Sequence, residues 1–86
     1  MFITYVIYSD QIKKHYVGHT IDFDNRLKEH NSGEGKFTKR GVPWKLIWMF
    51  ESSTHSEAIL LENKIKKRGI ERFLADNNIR GVAQPG

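Results

Sequence analysis

The chain has 86 residues, 38% of them hydrophobic and 28% charged, with a formal net charge of +4 and no cysteine. That length allows one small core, and the composition is that of a globular chain rather than a disordered one. Without cysteine there is no disulfide, thiolate metal site or thiol nucleophile, which permits a cytoplasmic setting; a pI near 9.5 favours a polyanionic partner such as nucleic acid.

Phe2–Tyr8 is β-branched and aromatic nearly throughout and predicts a central strand. It has no basic flank before it and is too short to span a membrane, so neither a leader nor a spanning segment is expected. Ser9–Lys14 is turn-like and His15–His19 predicts a second strand, which makes a hairpin. A four-residue loop over 9–12 pairs Tyr8 with Lys13 and Tyr5 with Tyr16, placing both phenols on one sheet face. Asp22 is an N-cap for a helix to about Asn31, stopped by Gly33. Phe23 and Leu27 form its buried stripe, and Arg26 and His30, also four apart, project from one shared face.

Residues 32–43 form a glycine-rich basic loop carrying Lys36, Lys39 and Arg40. Trp44–Phe50 predicts a third, mostly buried strand. Thr54-His55-Ser56-Glu57 has the form of a capping box and opens a helix from Ser56 to about Arg68. Ala58, Leu61 and Ile65 mark its core stripe, widened by Ile59 and Leu60. Gly69 interrupts it, and a shorter helix over about 70–75 follows. The order β-β-α-β-α-α is an α+β fold around a small antiparallel sheet. Residues 1–76 read as one domain, and 77–86 as a loose tail with Gly81, Pro85, Gly86 and little apolar mass.

Phosphodiester hydrolysis requires a base for the attacking water and charge stabilisation of the phosphate by an arginine or a metal ion, and several polar residues here are candidates for those roles. Arg26 offers a planar fork to phosphate oxygens, and His30 one turn later can relay a proton or hold a phosphate. Glu62 sits at the edge of the apolar stripe, where a carboxylate invites a metal or a partner. Tyr5 and Tyr16 are base candidates, although a free phenol with a pKa near ~10 needs a neighbouring cation or metal-bound water to serve at neutral pH. Each has a plainer reading: the tyrosines as packing residues, Arg26 and His30 as a solvated helix face, Glu62 as the i,i+4 partner of Lys66. Lys64, Lys66, Lys67 and Arg68 read by default as a solvated basic face. His15, His19 and His55 have no further ligand at recognisable spacing, so a zinc site is not expected.

As an ordered set, Tyr5, Tyr16, Gly18, Arg26, His30 and Glu62 resemble the GIY-YIG nuclease family, in particular its small single-domain members of the YhbQ or UPF0213 type. The resemblance covers roughly residues 2–75. Its first triplet is Ile3-Thr4-Tyr5, which keeps only the tyrosine, and its second is Tyr16-Val17-Gly18; the stretch Gly18–Gly41 is similar to the small members throughout. His19 stands where some repair nucleases of the family carry a lysine, and Asn77 and Asn78 are poorly spaced for the asparagine that larger members use after the glutamate. The resemblance implies a three-stranded antiparallel sheet flanked by helices and a metal-dependent endonuclease, with DNA repair as its setting. One Mg²⁺ or Mn²⁺ would be held by Glu62. Arg26 would stabilise the phosphate, one of Tyr5 and Tyr16 would activate water while the other positions it, His30 would assist, and Gly18 would let the backbone bend or approach closely.

The substrate implied is nucleic acid, most readily DNA with little sequence preference, bound also by Lys36, Lys39, Arg40, Lys66 and Lys67. The alternative is a non-catalytic or partner-dependent nucleic-acid-binding module using those cations. A third reading is a protein-interaction domain with Trp44 and Trp48 partly exposed.

Overall fold

Antiparallel pairing in the order β2-β1-β3 places the first strand in the middle of the sheet. A computed structural model describes residues 1–33 and 38–78. Its elements are β1 (Phe2–Ser9), β2 (Lys14–Thr20), α1 (Phe23–Asn31), a 3₁₀ turn (Thr38–Gly41), β3 (Trp44–Ser52), α2 (His55–Arg68) and α3 (Ile70–Asp76). This is the α+β order β-β-α-β-α-α expected from the sequence. Central placement explains the run in β1: Thr4 to Ser9 are buried without interruption, because both sheet faces are covered.

On one face Val6 and Val17 pack with Ile65 of α2 and Phe73 and Leu74 of α3. Ala58 is fully buried there, and the Thr4 hydroxyl donates to its carbonyl at 3.1 Å, so a small residue lets α2 lie close to the central strand. On the other face Tyr5 and Ile7 pack with Phe23 of α1 and with Trp44, and Leu27 joins them. The Asn31 side chain ties the end of α1 to β3 by accepting from the Trp44 backbone N–H at 2.6 Å and donating to its carbonyl at 3.2 Å.

The helix ends follow local chemistry. Asp22 accepts from the Asn25 N–H at 3.2 Å, and Gly33 takes a positive φ of 82° beyond α1. The Thr54 hydroxyl accepts from the Glu57 N–H at 3.2 Å and donates to the Glu57 carboxylate at 3.0 Å, which starts α2 at His55, one residue before the expected Ser56. Gly69, with φ 96°, separates α2 from α3.

Four expectations are corrected. The hairpin loop covers 10–13 rather than 9–12, so Tyr5 faces Gly18 and Tyr16 faces Ile7. Ser9 is buried and stays in the ladder opposite Lys14, its hydroxyl accepts from the Ile12 N–H at 3.2 Å, and Lys13 closes the turn with φ 57°. The pairing moves by two residues, an even number, so Tyr5 and Tyr16 still share a face. β3 is an edge strand and mostly exposed, with Phe50 at 54%. Helices cover it only in part, and a bulge between its pairings with Val6 and Ile7 sets Ile47 out of register. Trp44 is buried, its indole N–H donating to the Thr38 carbonyl at 2.7 Å; Trp48 is half-buried, edge-on to Phe73. Leu60 is 68% exposed and does not widen the α2 core stripe, whereas Ile59 is half-buried.

Lys36 lies outside the described residues, as does the tail beyond Asn78. Among the described residues no helix is long and apolar enough to cross a membrane.

Candidate active site

The missing side chain at Gly18 makes the site possible. A Cβ there would lie 2.7 Å from Tyr5 Oη, 2.9 Å from Tyr5 Cζ and 3.3 Å from Tyr16 Cε1. Glycine opposite Tyr5 therefore lets the phenol lie across β2 beside the second tyrosine. The role implied for Gly18 was a bend or a close backbone approach; its role here is room for two side chains.

Tyr5 is 1% exposed, and its hydroxyl shares a 2.8 Å hydrogen bond with Nε2 of His30 on the last turn of α1. Burial, reinforced by Tyr16, raises the phenol pKa well above its ordinary value, even with the Arg26 guanidinium opposing it. Burial and Arg26 push the His30 imidazole below its ordinary value. The pair is thus a neutral phenol hydrogen-bonded to a neutral imidazole. Arg26 and His30 do not share one environment: the histidine turns inward, while the arginine is half-exposed and its Nε reaches Glu29 at 3.3 Å.

Glu62 arrives from α2 on the opposite face, around the β2 edge. Its Oε1 accepts from His19 Nδ1 at 2.5 Å and its Oε2 from Lys66 Nζ at 2.7 Å. Burial alone would raise the carboxyl, but the hydrogen bonds from His19 and Lys66 outweigh it and hold the group below the usual carboxylate range. His19 Nε2 lies 3.1 Å from His55 Nε2, and His55 stacks on Phe2. Tyr5, Tyr16, Gly18, His19, Arg26 and Glu62 together line an open cleft of about 230 Å³.

The family model of the GIY-YIG catalytic domain matches residues 1–71. The chain belongs to the GIY-YIG nuclease family. It is similar to the UPF0213 protein of Streptococcus pneumoniae, 36% identical over 72 residues that span 79% of this chain and 73% of that one. A UPF0213 protein of Bacillus licheniformis is 35% identical over 71 residues, 78% of this chain and 73% of the relative. The solution structure of the UPF0213 protein BH0048 from Bacillus halodurans superposes with a TM-score of 0.58 at 26% identity, covering 96% of this chain and 89% of that one.

In this GIY-YIG chain, four of the five residues singled out for chemistry, Tyr5, Tyr16, Arg26 and Glu62, line the cleft. The fifth, His30, does not line the cleft; it lies behind the two tyrosines, hydrogen-bonded to the Tyr5 hydroxyl and edge-on to the Tyr16 ring. Among the cations, Lys66 touches Glu62, whereas Lys39 and Arg40 are exposed on the 3₁₀ turn and do not line the cleft. Asn77 lies past α3, where its amide donates to the Phe73 carbonyl at 2.8 Å, and Asn78 follows with φ 57°; neither lines the cleft.

Spacing alone gives no signal for His19 and His55. They stand 36 residues apart and meet only because β2 and the start of α2 pack together. Among the described residues no three His, Cys, Asp or Glu side chains converge as a cage for an ion. One ionised carboxylate at the rim of an open cleft fits a hard divalent cation completed by phosphate oxygens and water, as Mg²⁺ is commonly held. Glu62 is the residue that would hold it.

Proposed function

We propose that this chain is a metal-dependent endonuclease that hydrolyses nucleic-acid phosphodiester bonds, acting on DNA with little sequence preference in the cytoplasm. The observation that carries the reading is the 2.8 Å contact from Tyr5 Oη to His30 Nε2 at the back of a cleft that also holds Arg26 and Glu62. A phenol with a raised pKa is a poor base by itself. Tyr5 need not accumulate as phenolate, however: as its oxygen takes a proton from the attacking water, its own proton passes to His30 Nε2. A lowered imidazole pKa keeps His30 ready to accept. Tyr16, on the same sheet face, positions the water, and Arg26 balances the charge that builds on the phosphate. A Mg²⁺ or Mn²⁺ ion held by Glu62 supplies further charge stabilisation when bound.

Cleavage of plasmid and branched DNA with Mg²⁺ or Mn²⁺ tests this directly. Wild type is expected to cut, with Glu62→Ala and Arg26→Ala severely impaired; equal rates for all three would remove the catalytic claim. One observation favours a second reading. Both Glu62 oxygens are already engaged by His19 and Lys66, as in a structural ion pair. A non-catalytic nucleic-acid-binding module would retain binding in Glu62→Ala and show no cleavage with either metal.

A further inference from the structure

A second concavity adjoins the first and is the larger of the two, about 590 Å³ against about 230 Å³. It opens between the β1–β2 loop and the junction of α2 with α3. Lys13 and Lys14 line it from the hairpin, and Lys66, Lys67 and Arg72 from the helices, with His15 between them. Arg68 also lines it but is held by Asp76 through two bonds of 2.7 and 3.0 Å. Lys13, Lys14, Lys67 and Arg72 form no ion pair among the described residues, and the acidic residue lining the groove is Glu71.

Basic residues in the last turn of α2 also complement that helix's dipole, which accounts for Lys66 to Arg68 with no ligand. It does not account for Lys13, Lys14 and Arg72, which belong to other elements and converge on the same space. Nor does it account for His15, whose Nε2 is buried without a hydrogen-bond partner among the described residues. Burial also lowers the His15 pKa, so the ring is neutral and keeps one N–H to donate. An anion with several acceptor oxygens satisfies the uncompensated charge of these converging cations.

Lys66 joins the two concavities. It lines the groove while its ammonium lies 2.7 Å from Glu62 of the cleft. We infer that the groove is a phosphate-binding track for the nucleic-acid strand, entered from the cleft past Lys66 and held by Lys13, Lys14, Lys67 and Arg72 with His15 beneath. The track rests on the proposed substrate class and not on catalysis, so the two can fail separately.

The test uses the full chain carrying Glu62→Ala, in EDTA, with a short fluorescein-labelled DNA duplex followed by anisotropy over a range of salt. Lys14→Gln with Arg72→Gln changes two exposed side chains that line the groove. Their joint loss is expected to weaken binding about tenfold or more at low salt and to flatten the slope of log affinity against log salt by about 2. Lys64→Gln, on α2 but outside the groove, is the control and leaves both unchanged. In the NMR spectrum, the His15 ring signals should move on adding duplex. A double variant that binds like its parent with an unaltered slope overturns the inference, as does a parent that binds no duplex at low salt. If binding depends on the groove but the wild type cuts nothing with any divalent ion, the track stands and the nuclease reading falls. If the wild type cuts and the double variant binds normally, the reverse holds.

Discussion

Gly18 stands directly opposite Tyr5 in the sheet, and the tyrosine ring occupies the space a side chain at 18 would need. Gly18→Ala therefore forces a Cβ to within 2.7 Å of a hydroxyl that is already held by His30. Neither partner can move freely, since Tyr5 is a buried core residue. Overpacking of this kind costs about 1–3 kcal/mol, which for a domain of this size lowers Tm by roughly 4–8 °C per kcal/mol. Thermal unfolding followed by circular dichroism checks the size of the effect. Cleavage should fall further than stability alone explains, because the displaced phenol no longer reaches Nε2.

Tyr5→Phe keeps the ring and removes the hydrogen bond. It leaves His30 Nε2 buried without a donor, at a cost of about 1–3 kcal/mol. If the water's proton travels through the phenol to His30, kcat should fall by about 10² or more. His30→Ala should produce a comparable loss of kcat, and the double variant little more than either single one, because the two act as one relay. Tyr16→Phe leaves the relay intact and should cost less. Single-turnover rates on one substrate for all four variants check this ordering. Fully additive losses from Tyr5→Phe and His30→Ala would sink the relay.

The reading of the sequence succeeds where the cause is local. Caps at Asp22 and Thr54 and breaks at Gly33 and Gly69 depend on a few neighbouring residues, so the helices were legible within about a residue. Sheet parity made the shared face of Tyr5 and Tyr16 legible, whereas Arg26 and Glu62 joined them as a set through the family resemblance, and Glu62 reaches the cleft by the way α2 lies against β2. The failures are cases where distant packing decides. An apolar strand reads the same at the edge of a sheet as at its centre, so the exposure of β3 was hidden. The hairpin register turned on Ser9 remaining in the ladder and on the left-handed turn at Lys13, neither of which the hydrophobic pattern records. The contacts from His19 to Glu62 and His55 span 43 and 36 residues and rest on how α2 lies against the sheet.

Stability should decline as pH falls below neutrality. Both His30 and His15 have pKa values lowered from the ordinary 6.5, chiefly by burial. As pH drops through that value, the unfolded chain takes up protons that the folded chain still refuses, so acid favours unfolding. The loss begins near pH 6.5 and continues until the folded-state pKa values are passed. Urea denaturation between neutral pH and pH 5 measures the slope, and His15→Gln together with His30→Gln should flatten it across that range. Glu62 acts in a lower window: its carboxyl is depressed from 4.5, so its contribution is present above that value and is lost as pH falls through the folded-state pKa.

Lys66 holds one Glu62 oxygen at 2.7 Å, and a divalent cation approaching the carboxylate must compete with that ammonium. The lysine is more than half exposed and its partner largely buried, so the lysine is the side that can swing away. An i,i+4 pair of this kind contributes about 0.5 kcal/mol or less to the fold, so Lys66→Ala should unfold at nearly the wild-type temperature. Its effect should appear in the metal dependence instead. With the competing ammonium gone, Glu62 remains tied to His19 and presents a free oxygen, and the Mg²⁺ concentration for half-maximal cleavage should fall a few-fold. DNA affinity should fall at the same time, because Lys66 also lines the basic groove. The two effects separate in a Mg²⁺ titration at saturating DNA followed by a DNA titration at saturating Mg²⁺. His19→Ala provides the contrast: it removes the other hydrogen bond to Glu62, but the ammonium stays and the carboxylate loses the contact that orients it, so the metal requirement should rise. Identical metal titrations for wild type, Lys66→Ala and His19→Ala would mean that Glu62 does not hold the ion.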